Sequence, residues 1–451
     1  MSETRELAAF AAHLSFESLP PSVVGKAKEL VLDQLAIQIG VSHKPWLRIA
    51  YEYVQACGGR AEATIAGFGD QTSAEQAAFV NGTFGHGFEL DDVYAPALSH
   101  PGPVVVPAAM AVGEREGVSG REFIAALVAG YEVMGRVGEA LSPTYLYRGF
   151  HPTSASGAVG AAAAAGRILK FDERTLVNAL AVAASFLSGL TECYHSGGEV
   201  KRYHAGIAAS GGVRAAGLAQ RGLTGPPTVL EGRLGIRALT DSFRVEPLVE
   251  QLGQRFVMSN IWQKRYSCNG MLHAPLDGLE ALRARHQIEM ETIDEVIVGS
   301  NRHALQEIGG IRVPTDIFGL QFSVYYALAI QLVRGRNVAA DYSEETLRDP
   351  AVAEMATKVR LEVDPHIDSL FPGKIGGRVT IVLKDGQRFS QTVEDCKGTP
   401  GNPMTEGERL EKVREVAGLV MASEKVERLI ETVNDLERVA DLRDVARLLK
   451  A

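Results

Sequence analysis

Three long runs of alanine and glycine most constrain the fold of this chain. They span residues 155 to 170, 176 to 190 and 204 to 223, with the sequences ASGAVGAAAAAGRILK, LVNALAVAASFLSGL and HAGIAASGGVRAAGLAQRGL. Each run reads as a helix that is apolar almost all round. Because such a helix offers no polar face to water, the runs predict helices packed closely against others, in a buried bundle or at a subunit interface.

The period of the apolar residues changes along the chain. Up to about residue 260 it is helical, as in REFIAALVAGYEVMGRVGEAL, where apolar residues recur every three or four positions. After about residue 290 the runs IDEVIVGS, KVRLEV and RVTIVLKDGQRFSQTVE predict strands. Lys384-Asp385-Gly386 separates two of these runs, and Gly386 supplies the positive φ of a hairpin turn. Helical runs at 271 to 285 and 321 to 334 are interleaved with the strands.

These patterns predict a mainly α protein with an additional α+β domain. The chain has 451 residues, too many for one ordinary core. We expect the first part of a helical domain at residues 1–261, an α+β domain at 262–397, and a helical return to the first domain at 398–451. The Pro/Gly-rich stretch at 398 to 403 is the expected linker.

The charge of the chain excludes several classes of function. Lys and Arg number 46 against 55 Asp and Glu, for a net charge of −9, which argues against nucleic-acid binding and against attraction to an anionic membrane. The first residues lack the basic start and apolar core of a secretion signal, and no apolar run has bilayer-spanning length. We therefore expect a cytoplasmic protein.

The cysteines and the common motifs give no sign of metal or nucleotide chemistry. Cys57, Cys193, Cys268 and Cys396 lie far apart and form no CxxC pair, so neither a zinc site nor a disulfide framework is indicated. No sequence context specific to thiol enzymes surrounds Cys268. The nicotinamide, P-loop, zinc-protease and serine-hydrolase motifs GxGxxG, GxxxxGKS/T, HExxH and GxSxG do not occur in a supporting context.

One window of seventeen residues, HGFELDDVYAPALSHPG at 86 to 102, concentrates acid–base groups. It holds Glu89, Asp91 and Asp92 together with His86 and His100, between two apolar, helix-like runs. A carboxylate beside a histidine can act as a base, an acid or an orienting partner. The alternative is a set of solvated acidic residues at a helix end. A site for a hard cation would need further oxygen ligands at fixed offsets, which this window does not show.

Two further clusters place basic groups at the start of helices. His151 precedes Pro152 and the natural N-caps Thr153 and Ser154, so we expect it beside an electropositive helix start that suits an anion. A histidine that fills a turn is the alternative. Another cluster, with the sequence GGEVKRYHAGIAASGG, brings Lys201, Arg202 and His204 to the entry of an apolar helix.

The cluster at 201 to 204 favours an anionic ligand. Burying several cations is costly unless they meet a negative charge, so a role in binding carboxylate or phosphate is favoured over core packing. Arg202 can alternatively point to solvent. In the fourth cluster, WQKRYSCNGMLHAPLDG, the residues Lys264, Arg265, Tyr266 and His273 gather in the same way before a helix.

In their order and setting, the four clusters resemble the MmgE/PrpD family, which includes 2-methylcitrate dehydratase, cis-aconitate decarboxylase and iminodisuccinate epimerase. The resemblance runs over nearly the whole chain, through AAFVNGTFGHGFELDDVY, GFHPTSASGAVGAAAAAGRIL, KRYHAGIAASGGVRAAGLAQRGLTGP and KRYSCNGMLHAPLD to FGLQFSVYYALAIQLVRG. It implies a large all-helical domain and a smaller α+β lid domain. It also implies a homodimer that works without metal or organic cofactor.

The resemblance further implies a role for each polar group. The expected catalytic residues are Asp91, Asp92, His100, His151 and Lys201. The expected substrate-binding residues are Glu89, His204, Lys264, Tyr266 and His273. Reactions of the family share a carbanion-like centre next to a carboxylate, which preorganised cations stabilise. We expect His100 to move the proton, with Asp91 or Asp92 orienting it, and Lys201 and Lys264 to supply the positive field.

The preferred function from sequence is that of a cofactor-independent hydro-lyase acting on a small hydroxylated di- or tricarboxylate of the 2-methylcitrate type. A decarboxylase of the cis-aconitate type and an epimerase of an iminodisuccinate-like acid are the alternatives within the family. A non-catalytic binding protein for a small carboxylic acid is the alternative of another class. Val93 and the loop before His100 keep that alternative open, because the family's decarboxylases carry a hydroxyl residue directly after the Asp pair and have a shorter loop.

Overall fold

The computed structural model describes residues 2–193, 197–371 and 373–451. The chain divides into two compact units, Met1–Ile261 with Glu406–Ala451 and Trp262–Thr405. Helices make up most of the first unit, and a four-stranded sheet lies in the second. The predicted class, mainly α with an α+β part, is confirmed.

The first unit begins with helices and one small hairpin. The helices are α1 (Glu3–His13), α2 (Pro21–Val41), α3 (Pro45–Cys57), α4 (Ala74–His86), α5 (Gly102–Glu116), α6 (Gly120–Leu141), α7 (Thr144–Tyr147), α8 (Pro152–Ile168), α9 (Glu173–Ala183), α10 (His204–Gln220) and α11 (Glu246–Val249). The hairpin pairs β1 (Ala63–Thr64) with β2 (Gln71–Thr72). Local signals explain several helix boundaries. Ser119 caps α6 in a capping box with Glu122, and Gly117 ends α5 with a φ of 64°.

Close packing of α8 against α6 and α10 forms the centre of the first unit. A Cβ atom on Gly160 would overlap the side chain of Met134 in α6, and one on Gly212 in α10 would overlap Ala161. Glycine is therefore required at both helix crossings. Residues 152–166 of α8 are all buried within the chain, so this alanine-rich run forms part of a buried bundle, one of the two predicted settings.

One of the predicted helices is shorter in the structure. The run at 176 to 190 predicts a helix to its end, but α9 stops at Ala183 and a short 3₁₀ turn follows. The chain then leaves the helix, and the carbonyl of Gly189, a residue with a φ of 84°, accepts a hydrogen bond of 3.0 Å from the amide of His151. The end of the run thus supports the start of α8 instead of extending α9.

The second unit is an α+β structure. Its helices are α12 (His273–Arg285), α13 (Arg302–Glu307), α14 (Ile317–Phe322), α15 (Val324–Arg334), α16 (Glu344–Leu347), α17 (Pro350–Thr357) and α18 (Pro365–Leu370). Its strands are β3 (Ile293–Ser300), β4 (Val359–Val363), β5 (Gly377–Leu383) and β6 (Arg388–Val393), in the order β4-β3-β5-β6. Only the β3–β4 pair among these strands is parallel. The hairpin between β5 and β6 is confirmed, and Gly386 has a φ of 87°.

The segment predicted as a linker belongs to the second unit. The sequence places the boundary at residue 398, but residues 398–405 group with the unit that precedes them. The carbonyl of Gly398 accepts a hydrogen bond of 3.2 Å from the amide of Gln263, and its amide donates to the carbonyl of Asn402 at 2.8 Å. These bonds hold the start and the end of the second unit together, so the boundary lies at residue 406.

The chain returns to the first unit with α19 (Glu406–Ala417), α20 (Ser423–Asn434) and α21 (Arg443–Ala446). Helix α19 lies directly on α2, where a Cβ atom on Gly40 would overlap the carbonyl of Val416. The amide of Gly67 donates to the carbonyl of Leu449 at 2.8 Å, which fixes the last residues to the first helical portion. Of the helices described, none is both long enough and apolar enough to cross a bilayer.

We predict that the buried ion pair of α6 is required for stability. Arg136 and Glu132 have fully buried side chains 3.0 Å apart, and Arg136 also donates to the carbonyls of Pro247, Glu250 and Arg255. Arg136→Met leaves a buried carboxylate without its partner, so the free energy of unfolding should fall by about 3–5 kcal/mol in urea denaturation.

The matched control for this prediction is an exposed arginine. Arg148 pairs with Asp241 at 3.1 Å, and their side chains are 46% and 87% exposed. Exposed pairs contribute little, so Arg148→Met should change the free energy of unfolding by less than about 1 kcal/mol. Equal losses in the two variants would show that the α6 pair has no special importance.

Candidate functional site

The candidate site of the first unit lies where the ends of four helices meet. Helix α4 ends at His86, α5 begins just after His100, α8 begins just after His151, and α10 begins at His204. The ring centroids are 5.1 Å apart for His86 and His100, 5.5 Å for His86 and His151, and 5.0 Å for His151 and His204. We call these four residues the histidine cluster. Three of the helices direct their N-termini towards it, an arrangement that favours an anion.

The acidic window predicted from sequence forms the buried connection between α4 and α5. Glu89, Asp91 and Asp92 are each at most 2% exposed, so they are not a solvated acidic surface. The carbonyl of Gly87, at the start of the connection, accepts hydrogen bonds from Trp46 at 3.3 Å and from the guanidinium of Arg202. Loops seldom bury this many carboxylates without specific partners, and the partners here are histidines, a lysine and a helix start.

A single carboxylate oxygen joins two members of the histidine cluster. Asp91 Oδ2 lies 2.6 Å from His86 Nδ1 and 3.1 Å from His100 Nδ1. His100 Nδ1 also lies 2.8 Å from the carbonyl oxygen of Asp92. Because oxygen acceptors face Nδ1 in both rings, the hydrogen-bond network assigns the proton to Nδ1 and makes Nε2 of His100 the nitrogen for a ligand. The His100 side chain is 15% exposed, whereas that of His86 is fully buried.

The carboxylate of Asp92 holds the start of α5. It accepts hydrogen bonds from the amide of Gly102 at 2.7 Å and from the hydroxyl of Tyr131 at 2.8 Å. Burial raises its pKa from 3.8 to about 7, although both hydrogen bonds act in the other direction. The geometry thus distinguishes the two aspartates: Asp91 meets His100 with its side chain, whereas Asp92 meets it with its backbone.

Lys201 places a buried positive charge against the histidine cluster. Its ammonium group forms an ion pair with Glu89, and both side chains are at most 3% exposed. Burial and then Lys201 lower the pKa of His86 to about 4, and the same two causes lower that of His204 to about 4. Burial, then His86 and Lys201, hold the pKa of His151 well below its usual range. At neutral pH these three histidines are therefore uncharged.

His151 lies one residue before the observed start of α8, and the prediction of Thr153 and Ser154 as capping residues is wrong. Helix α8 begins at Pro152, so Thr153 and Ser154 lie inside it and His151 itself occupies the N-cap position. Pro152 explains this start because proline favours the first position of a helix. His151 Nδ1 lies 3.0 Å from His204 Nδ1, which links the second and third sequence clusters directly.

Arg202 is a structural anchor and does not point to solvent. Its side chain is fully buried, and its guanidinium lies 2.6 Å from Glu199 Oε2 and 4.9 Å from the centre of the Trp46 ring. Together with its bond to the carbonyl of Gly87, these contacts tie the entry of α10 to the connection between α4 and α5. The alternative of a surface charge at this position is wrong.

Three of the predicted site residues, Lys264, Tyr266 and His273, lie in the second unit. All three are buried, and the His273 ring at the start of α12 lies 5.2 Å from the Tyr266 ring. The Tyr266 hydroxyl donates to Asp277 at 2.8 Å within that unit, and burial raises its pKa, so it remains protonated. Cys268 is fully buried, in keeping with its interpretation as an unreactive thiol.

Two residues of the site, His86 and Tyr131, were given no role from the sequence. His86 was named in the window at 86 to 102, and its place beside Asp91 in that window was the signal that could have assigned it a role. Tyr131 carries no such signal, because only the packing of α6 brings it to Asp92. Ligand atoms of His86, Asp91 and His100 lie within 4.8 Å of one another and could hold a metal ion. The 2.6 Å contact between His86 and Asp91 has the length of a strong hydrogen bond.

The pKa of Asp92 gives a prediction about stability. Because the folded-state pKa lies above the ordinary value, protonation of Asp92 stabilises the fold at about pH 4, and this contribution is lost as the pH rises through about 7. Asp92→Asn cannot ionise, so its free energy of unfolding should rise relative to that of the unmodified protein between pH 4.5 and 8. Urea denaturation at several pH values measures this difference.

The histidines titrate in both the unmodified protein and Asp92→Asn. Their contributions therefore cancel in the difference between the two free energies of unfolding. The control is Asp241→Asn, since the Asp241 side chain is 87% exposed. The free energy of unfolding of Asp241→Asn should differ from that of the unmodified protein by a nearly constant amount over the same pH range. A constant difference for Asp92→Asn as well would contradict the raised pKa.

The MmgE/PrpD N-terminal domain matches residues 5–246, and the MmgE/PrpD C-terminal domain matches residues 266–438. Cis-aconitate decarboxylase of Aspergillus terreus is 30% identical, over 99% of this chain and 95% of the relative. The human cis-aconitate decarboxylase is 26% identical, over 96% of this chain and 91% of the relative. 2-Methylcitrate dehydratase of Salmonella typhimurium is 25% identical, over 44% of this chain and 42% of the relative.

These matches cover both units of the structure. The two family domains together extend from the first helix to α20, and the two decarboxylases align over nearly all of the chain. The resemblance predicted from the four residue clusters is confirmed, and the chain belongs to the MmgE/PrpD family of lyases.

Proposed function

We propose that this protein is a cofactor-independent decarboxylase of a small unsaturated tricarboxylate of the cis-aconitate type. The observation that carries the proposal is the contact between Asp91 and His100 in a site where the buried charge of Lys201 faces neutral histidines. The comparisons support decarboxylation ahead of dehydration. Relatives named as cis-aconitate decarboxylases align over 96% to 100% of the chain, whereas relatives named as 2-methylcitrate dehydratases align over 44% to 52%. This reverses the order preferred from sequence.

The proposed reaction needs one proton and no external electrons. The bond between a substrate carbon and its carboxylate breaks, and CO₂ leaves without the bonding electron pair. That pair remains on the carbon and spreads over the adjacent double bond and carboxylate. Protonation of the resulting carbanion gives an unsaturated dicarboxylate. Negative charge moves onto the oxygen atoms of the remaining carboxylate, so a fixed cation beside that group stabilises the transition state.

The arrangement of the first unit suits this sequence of steps. Lys201 and the N-termini of α5, α8 and α10 provide positive potential for the carboxylates that stay. His86, His151 and His204 are neutral, so these three rings add no full charge beside the carboxylate that leaves. When Nε2 of His100 is protonated in addition to Nδ1, it can deliver that proton to the carbanion, and Asp91 stabilises this charged ring and fixes its orientation. Since its side chain is 15% exposed, His100 can take up a new proton from solvent after each turnover.

Dehydration of a hydroxylated acid of the 2-methylcitrate type is the second candidate. It requires a base for a carbon-bound proton and an acid for the departing hydroxyl group. The contact of 3.0 Å between His151 and His204 favours it, because two neutral rings can divide these tasks beside the His100–Asp91 pair. The same deprotonation without loss of water would give an epimerase.

The first test is proton NMR of the metal-stripped protein in D₂O with cis-aconitate, 2-methylcitrate, citrate and iminodisuccinate. Decarboxylation of cis-aconitate should give new alkene signals and one deuterium per product molecule. Turnover of 2-methylcitrate alone would establish the dehydratase instead. Deuterium exchange without a product would indicate an epimerase, and thermal stabilisation by an acid without any exchange would indicate a binding protein.

We predict that His100 and Lys201 are both essential for turnover. His100→Ala removes the proton donor and Lys201→Ala removes the cation, and each should lower kcat at least about a hundredfold, in the range found for general acid–base groups. Steady-state kinetics on the substrate found by NMR measures the loss, and circular dichroism confirms that the fold is intact.

Matched controls come from the same residue types on the surface. His13 and Lys170 have side chains 70% exposed and lie outside the histidine cluster. Their alanine variants should keep kcat within about twofold of the unmodified protein. Near-normal rates for both His100→Ala and Lys201→Ala would sink the assignment of these residues.

A further inference from the structure

The connection between α4 and α5 is tied to the returning C-terminal helix by one buried lysine. Lys412 of α19 is 7% exposed, and its ammonium group donates to the carbonyl of Leu90 at 3.0 Å. It also lies 2.7 Å from Asp33 Oδ1 in α2. A buried lysine with a backbone carbonyl and a carboxylate as partners is held in one position.

The carbonyl that Lys412 holds lies between the two carboxylates that reach the site. Glu89, on one side of Leu90, pairs with Lys201, and Asp91, on the other side, contacts His86 and His100. Glu89 has a φ of 57°, a left-handed conformation that is costly for a residue with a side chain. Such a backbone conformation persists only where its surroundings enforce it, and Lys412 contacts the very next residue.

A second effect of Lys412 is electrostatic. Asp33 is buried, and its negative charge acts to raise the pKa of Asp92. Asp33 therefore acts electrostatically on one of the two aspartates of the site. Lys412 opposes this charge: it is the first group that lowers the pKa of Asp33 against the larger effect of burial. The ammonium group of Lys412 thus offsets the negative charge of Asp33 and also fixes the Leu90 carbonyl.

We propose that Lys412 is a positioning residue for the reaction at the histidine cluster, acting through the Leu90 carbonyl on Glu89 and Asp91. This inference rests on the proposed function in one respect: one of its readouts is the rate of turnover. In this view residues 406–451 do more than complete the helical core. They set the orientation of the carboxylate that in turn orients His100.

The test removes both charges at once. Asp33→Asn combined with Lys412→Met leaves no buried charge without a partner, which is the usual reason that single variants of such pairs unfold. We expect kcat to fall at least tenfold while KM changes less than threefold, because the loss concerns the orientation of reacting groups and not the binding of substrate. A kcat within twofold of normal, or a rise in KM alone, would overturn the proposal.

The chain offers a matched control for a lysine that ties α2 to the C-terminal helices. Lys28 donates to the carbonyl of Asn434 at 2.7 Å and pairs with Glu437 at 3.0 Å, but it makes no contact with residues 86–102 among the described bonds. Lys28→Met should lower the thermal midpoint slightly and keep kcat within twofold. A loss of kcat as large as in the double variant would show that the effect is general destabilisation, against the proposal.

Two further measurements keep the inference testable if turnover or folding fails. Histidine NMR with ¹³C-labelled Cε1 atoms needs no substrate, so it separates this inference from the proposed function. The double variant should shift the signals of His86 and His100 but not that of His13, and unchanged signals would contradict the proposal. If the double variant does not fold, Asp33→Asn alone is the alternative, because Lys412 keeps its bond to the Leu90 carbonyl and finds an amide oxygen in place of the carboxylate. This variant should retain kcat within fivefold. A larger loss would assign the effect to Asp33 and overturn the role of the Leu90 carbonyl.

Discussion

The close approach of glycine and alanine surfaces is the constraint on which the rest of this structure depends. Helix α8 can lie between α6 and α10 because Gly160 and Gly212 remove the side chains that would keep the helices apart. The crossing fixes where α8 and α10 begin, and both starts carry a histidine of the site. Small residues therefore do more than fill the core, since they determine the distances between groups that are far apart in sequence.

Burial then determines the charges of these groups. The proposed substrate is an anion, and a site for an anion would ordinarily be expected to collect cations, yet His86, His151 and His204 are held neutral by desolvation and by Lys201. The positive potential comes instead from one lysine and from helix N-termini, whose partial charges do not titrate. Such a field persists over a wide pH range and leaves the neutral rings available for proton transfer.

The spacing of the apolar residues predicted the helical and α+β parts of the fold, because this spacing depends on local chemistry. The strand IDEVIVGS and the glycine turn at residue 386 lie where expected. The clusters at residues 86 to 102, 151 and 201 to 204 were recognised by composition. In the structure, His151 of one cluster and His204 of another are in direct contact. The contributions of Tyr131 and Lys412 were not readable, because α6 and α19 reach the site by tertiary packing. The end of α9 was missed for the same reason: a contact with His151 outweighed helix propensity.

The division of the first unit into two separate stretches of chain has a consequence for biosynthesis. On the ribosome, residues 2–261 emerge well before α19 to α21, and all of the second unit is made in between. During that interval α2 lacks the helix that covers it, and the amide of Gly67 lacks the carbonyl of Leu449. Domains that emerge first usually fold first, but this one has to wait with part of its apolar surface uncovered. The α+β unit, being continuous in sequence, can complete its folding earlier than the helical unit that begins the chain.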